Sequence, residues 1–193
     1  DYILLDLGGG SGYDTIDAFL LADRMVVVAG PEITAIENLY QFIKNAYFRK
    51  LKFLLKNYDI KDSVRDIWEN RIQYNITNLS ELIQYIRSSS DYLDSVFNDE
   101  MSQFVLFVVL NKVRNALEIK EGFSIKSVCI KYIGVDAMFP GYVEYDFQFW
   151  KSLSLIKTTP SVNISFRLRK NIMRVAENII NRDQMKISSL KSV

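Results

Sequence analysis

Phe104-Val105-Leu106-Phe107-Val108-Val109-Leu110 is seven apolar residues without a polar interruption. A strand that faces water on one side alternates apolar and polar residues, and this one does not. It must be buried on both faces, which calls for a sheet covered above and below. Two shorter runs have the same character. Tyr2-Ile3-Leu4-Leu5 ends at Asp6 and a glycine cluster, and Met25-Val26-Val27-Val28-Ala29 stops at Gly30-Pro31. Val128–Ile133 reads as a further strand, and Gly141–Asp146 as a short last one.

Between these runs the apolar period lengthens to three or four. Residues 13–22 predict a short helix. Ile36, Leu39, Tyr40, Ile43, Tyr47, Leu51 and Leu54 form one stripe on a long helix, with Lys44, Arg49, Lys50, Lys52 and Lys56 on its other sides. Thr34 and Glu37 have capping-box spacing at its start. Residues 58–100 are more polar and predict two or three modest helices, with loops near Tyr74–Asn78 and Ser88–Ser90. A short helix is expected from Asn111 to about Lys120, and a final one over 162–181. Strands alternating with helices predict an α/β fold, a mostly parallel sheet with helices on both faces.

Composition removes whole classes of chemistry. The 193 residues include no His and one Cys, Cys129. That excludes a Ser-His-Asp triad, a histidine-ligated metal, an internal disulfide and a zinc cluster. Carboxylates, Lys, Arg, hydroxyls and backbone amides remain. Cys129 reads as a small core residue. With 24 basic and 23 acidic side chains the net charge is +1. Charge is uneven, however. Residues 1–35 carry Arg24 against six acids, while 151–193 carry nine basic residues against Glu177 and Asp183. Such a basic segment is either a solvated surface or a face for DNA or membrane. No apolar run approaches the roughly 18 residues of a membrane span. The chain opens at Asp1 without Met or a charged leader, so it reads as a processed or truncated piece.

In open α/β sheets ligands bind at the carboxyl ends of strands. Asp6 at such an end suits a Mg²⁺ held through water. The Gly8-Gly9-Gly10 amides suit close approach to phosphate. Asn111 suits paired contacts to a base edge, or else caps the following helix. Asn111-Lys112-Val113-Arg114 lacks the Asp of the guanine-reading pattern.

Taken in order, these segments resemble the MinD/ParA ATPases, and within them the MinD-like branch that includes the flagellar regulator FlhG. Asp6-Leu7-Gly8-Gly9-Gly10 is similar to the Walker B segment. Ala22-Asp23, Met25–Ala29 and Pro31-Glu32-Ile33-Thr34-Ala35-Ile36 follow in the family's order. Val109-Leu110-Asn111 resembles the strand whose Asn contacts adenine, and Gly141–Asp146 the G-x-I-P-x-D strand, with Glu144 in place of its Pro. The likeness covers nearly everything except residues 58–100.

The resemblance implies an ATPase with ATP and Mg as cofactors. Asp6 would hold the Mg²⁺ water shell, and Gly8, Gly9 and Gly10 would lie near the γ-phosphate. Asn111, Val143 and Glu144 would line the adenine site. It implies an ATP-dependent homodimer acting as a timer that places a division inhibitor, plasmid, chromosome or flagellum, with a protein regulator. It implies a cytoplasmic protein, peripheral at the inner membrane face in some relatives. The lysine-rich phosphate loop of the family does not occur in the 193 residues. The chain therefore reads as a single partial domain, the family's C-terminal two thirds, expected to be less stable alone and prone to associate. The alternative is a non-hydrolysing relative that serves as a regulatory binding module, with residues 58–100 as its partner surface. The helix over 162–181 is expected to pack on the sheet, and the tail from Arg182 is thin for membrane anchoring.

Overall fold

A computed structural model describes residues 1–102, 104–155 and 164–186. Its elements are α1 (Tyr13–Leu20), β1 (Met25–Ala29), α2 (Ile33–Asn57), α3 (Lys61–Glu69), α4 (Leu79–Ser88) and α5 (Asp91–Met101), followed by β2 (Val105–Val113), α6 (Ala116–Val128), a π-helical turn (Cys129–Ile133), β3 (Asp136–Glu144), α7 (Phe147–Leu155) and α8 (Phe166–Asn181). The strands form a parallel sheet in the order β1-β2-β3, flanked by helices. The α/β class is as expected from the sequence. The middle strand is the long apolar run, and its residues from Leu106 to Leu110 are all buried. Consecutive burial requires cover on both faces, which only the middle of a layered sheet supplies.

The chain forms two compact units. One comprises Asp1–Met25, Glu37–Leu106 and Val128–Asp136, and the other Val26–Ile36, Phe107–Ser127 and Ala137–Val193.

The first unit is helical and built on the α2 stripe. Leu39, Ile43, Tyr47, Leu51 and Leu54 are buried, and Tyr40 partly so. Tyr47 meets Phe104 edge-on at 5.5 Å, and burial pushes its phenol up to about 12. Phe19 of α1 meets Phe42 of α2 in the same way at 5.0 Å. Helices α3, α4 and α5 fulfil the expectation for 58–100, with turns at Tyr74–Asn78 and Ser88–Ser90. Helix α4 has a reciprocal cap. Asn78 Oδ1 accepts from Glu81 N at 3.0 Å, and Glu81 Oε2 accepts from Thr77 N at 2.7 Å. The box expected at Thr34 is displaced, because α2 begins at Ile33 and Thr34 falls inside its first turn.

Arg49 ties α2 to α1. Its guanidinium donates to both Asp17 oxygens, at 2.8 and 2.7 Å, and lies 4.9 Å over the Tyr13 ring and 4.6 Å from that of Phe53. A fork-on-carboxylate pair is the strong form of this bond. The Arg49 hydrogen bonds hold the Asp17 carboxyl below its ordinary 3.8. A lowered folded value means the pair stabilises the fold above the unfolded pKa, and that contribution is lost as pH falls through the folded one. Asp17→Asn is therefore expected to flatten the loss of stability on acidification, seen in urea melts between about pH 5 and about pH 3. A variant as acid-sensitive as the parent would contradict this role.

Three expectations for the strands fail. Tyr2–Leu5 joins no strand and carries no regular structure, with Ile3 98% and Leu4 96% exposed. An apolar run becomes a strand only where a neighbour pairs its backbone, and among the described residues none does. Val128–Ile133 is helical. Gly122, Ile125, Cys129 and Ile133 are buried at three- and four-residue steps, while Ile130 and Tyr132 point to solvent. A short apolar run is ambiguous by itself, and here the helix before it continues through it. Gly134, at φ 77, ends the turn, a left-handed cap that favours glycine. Cys129 thus sits in a helical turn rather than mid-strand, and burial pushes its thiol up to about 12. The last strand begins at Asp136, before the expected Gly141.

In the second unit, α6 and α8 are tied to β3. Phe123 meets Phe139 edge-on at 5.0 Å. Asn178 donates to Pro140 O at 2.6 Å, and Met185 N donates to Phe139 O at 2.8 Å. Leu168 and Val175 of α8 are buried as expected, but Ile172 and Ala176 are exposed. Helix α8 starts at Phe166; the expected start at 162 and the tail beyond Lys186 lie outside the described residues. Among the described residues, no helix is long and apolar enough to cross a membrane.

Candidate site at the carboxyl ends of the strands

Strands β2 and β3 run parallel, so their carboxyl ends lie side by side. Tyr145 N donates to Val113 O at 2.8 Å and closes the pair there. Asn111 and Lys112 stand near the carboxyl end of β2, and Val143 and Glu144 end β3.

The helix after β2 is capped by Asn115. Its Oδ1 accepts from Leu117 N at 2.9 Å and Glu118 N at 3.1 Å, while Glu118 Oε2 accepts from Arg114 N at 2.7 Å. Asn111 therefore has no capping duty, contrary to the simpler reading of its position. Its Oδ1 accepts from Lys112 N at 2.9 Å.

Lys112 has φ 61, in the left-handed region that costs a side-chain-bearing residue about 1–2 kcal/mol. Such outliers persist where surrounding structure holds them, often at ligand sites. Lys112→Gly is expected to be more stable than Lys112→Ala by about 1 kcal/mol, since both remove the side chain and only Gly tolerates the backbone. Equal urea midpoints would contradict the strained backbone.

Cations and aromatic rings converge here. Lys112 Nζ lies 4.5 Å from the centre of the Trp150 ring, and the Arg114 guanidinium 5.4 Å from that of Tyr145. Arg114 also reaches Glu32 Oε1 at 3.9 Å, beyond the end of β1. Trp150 and Tyr145 keep 38% and 39% of their surface exposed. The group presents positive charge beside flat apolar faces, which suits an anionic ligand that carries a ring.

On the β3 side, Glu144 is committed. Its Oε2 accepts from Arg167 Nε at 2.7 Å, and its backbone N donates to Asn171 Oδ1 at 3.4 Å. Glu144, Tyr145, Asp146, Ser165 and Arg167 line a cleft of about 240 Å³. Asp146 caps α7 by accepting from Phe149 N at 3.0 Å. The Ser165 hydroxyl and these amides hold its carboxyl below the ordinary value.

Asp6 and the glycines belong to the first unit, and Asn111, Val143 and Glu144 to the second. The Asp6–Gly10 segment is exposed apart from a partly covered Leu7. Asp6 Oδ1 accepts from Gly8 N at 3.1 Å. Gly8 at φ 65 and Gly10 at φ 135 adopt backbone that glycine favours. Asp6 closes no strand, because Tyr2–Leu5 forms none. Among the described residues, no cluster of three or more acids or Cys could hold a metal ion.

The neighbours of Asn111 were not read as site residues from the sequence. Asn111-Lys112-Val113-Arg114 signalled the cations, but Trp150 and Tyr145 reach them only through the β2–β3 pairing. No family model, curated protein or solved structure matches the chain.

Proposed function

We propose that the chain carries the base-binding side of an adenine-nucleotide switch of the MinD/ParA kind. In that reading it is part of an ATPase whose ATP-bound homodimer positions a cellular cargo. The observation that supports it is the placement of Asn111, free of capping duty, at the carboxyl end of β2 beside the end of β3. That is where an open parallel sheet receives ligands. A side-chain amide offers a donor and an acceptor to a base edge. Lys112 and Trp150 add charge and a stacking face. Val143 and Glu144 would flank the base on the other side. Asp6 and Gly8–Gly10 would act toward Mg²⁺ and phosphate. Equilibrium dialysis tests the reading. ATP is expected to bind more tightly than GTP, and Asn111→Ala to weaken it about tenfold or more, the value of one or two polar contacts left unpaired. Equal retention of ATP by the variant would remove Asn111 from the site.

A specific observation favours a second reading, a regulatory binding module. Glu144 is held by Arg167 and Asn171 rather than free for a ligand. Residues 58–100 meanwhile expose Trp68, Ile72, Tyr74 and Tyr92. Aromatic residues left in water are common at protein-binding surfaces. A chain that binds no nucleotide but loses a protein partner on Trp68→Ala would select this reading.

A further inference from the structure

Helix α8 carries two apolar faces. Leu168 and Val175 are buried in the second unit. On the opposite side Phe166, Met173 and Ile180 recur every seven residues and form a ridge along the whole helix. They are 82%, 56% and 42% exposed. Lys170 and Glu177 stand seven residues apart along one edge of this ridge. Both are exposed, and neither has an ion-pair partner among the described residues. From this we propose that α8 of one chain docks antiparallel on α8 of a second copy, about a twofold axis near Met173.

The charge pattern selects this occupant. An antiparallel pairing brings Lys170 of one copy to Glu177 of the other, and the twofold repeats the contact. Phe166 then lies toward Ile180 across the interface, so the bulky end of one ridge meets the smaller end of the other. A parallel pairing leaves Lys170 and Glu177 without these partners. The contact is small. A helix of 16 residues is about 24 Å long, and its single face buries less than the roughly 1,200–2,000 Å² of a standard interface. Association is therefore weak and concentration-dependent. It uses no nucleotide, which separates it from the ATP-bound dimer.

Sedimentation velocity over a concentration series, without nucleotide, tests it. The wild-type chain is expected to shift from monomer to dimer. Met173→Glu sets two carboxylates near the axis and is expected to weaken dimerisation at least tenfold. Lys170→Glu and Glu177→Lys should each weaken it several-fold, and the double swap K170E/E177K should restore it. All four changes are at exposed positions, and circular dichroism checks that each variant folds. If Met173→Glu disturbs the helix, the swap series still decides. A chain that stays monomeric at every concentration overturns the proposal. So does a dimer indifferent to all four changes. A monomer that instead sediments with phosphatidylserine vesicles overturns it in favour of a lipid surface.

Discussion

Phe139→Ala is expected to cost about 3–5 kcal/mol, the range for truncating a buried aromatic side chain. Phe139 is fully buried in β3. Phe123 covers its ring edge-on at 5.0 Å, and its carbonyl receives Met185 N at 2.8 Å. Beneath the ring runs α6, and there the contact is closest. A Cβ added to Gly122 would lie 2.3 Å from two ring carbons. Glycine is a poor helix residue, about 1 kcal/mol worse than Ala. At position 122 that cost is offset by the aromatic ring it admits. Gly122→Ala should thus destabilise despite its better propensity, by about 1–3 kcal/mol of overpacking less the propensity gain. A smaller residue at 139 should relieve it, so Gly122→Ala with Phe139→Leu should cost less than the sum of the two. Urea melts in a Trp68→Phe background report through Trp150, which lies in the same unit. Additive costs would mean that the ring and the helix do not meet as described.

Phe97→Ala tests the other unit with an effect of the same size. Phe97 is 1% exposed on α5, in line with buried Leu93 and Val96. Helix α4 packs against α5 and holds Ile86 fully buried. The loss is expected to be about 3–5 kcal/mol. In a domain of this size each kcal/mol lowers Tm by about 2–4 °C. Here the Trp150→Phe background leaves Trp68 of α3 as the probe. A melt unmoved by Phe97→Ala would show that α5 does not seal this core.

The two units differ in how readily the sequence announced them. The α2 stripe and the modest helices of 58–100 were legible because their apolar period is local. Middle strand β2 was legible because seven apolar residues leave no side for water. Tyr2–Leu5 was misread because its pattern states what a strand would bury, not whether a partner edge is present. Val128–Ile133 was misread because burial at Ile125, Cys129 and Ile133 follows the helical step, which a six-residue window hides. For the site, Asn111 was placed at a strand end by the apolar run before it, and Val143 and Glu144 entered through the family resemblance. Its cations and rings were not placed in either way. Lys112 and Trp150 are 38 positions apart by their numbering and meet through the fold. The left-handed backbone of Lys112 has no sequence signature at all. Asp6 illustrates another case, a residue read as the end of a strand that Tyr2–Leu5 does not form.

The central claim is that the ends of β2 and β3 receive an adenine ring. Photolabelling with 8-azido-ATP, followed by mapping of the modified peptide, addresses it most directly. The label is expected on residues 111–114 or 143–150, to be prevented by excess ATP and lost in Asn111→Ala. Specific label confined to other segments, or none above the level left by excess ATP, would contradict the claim.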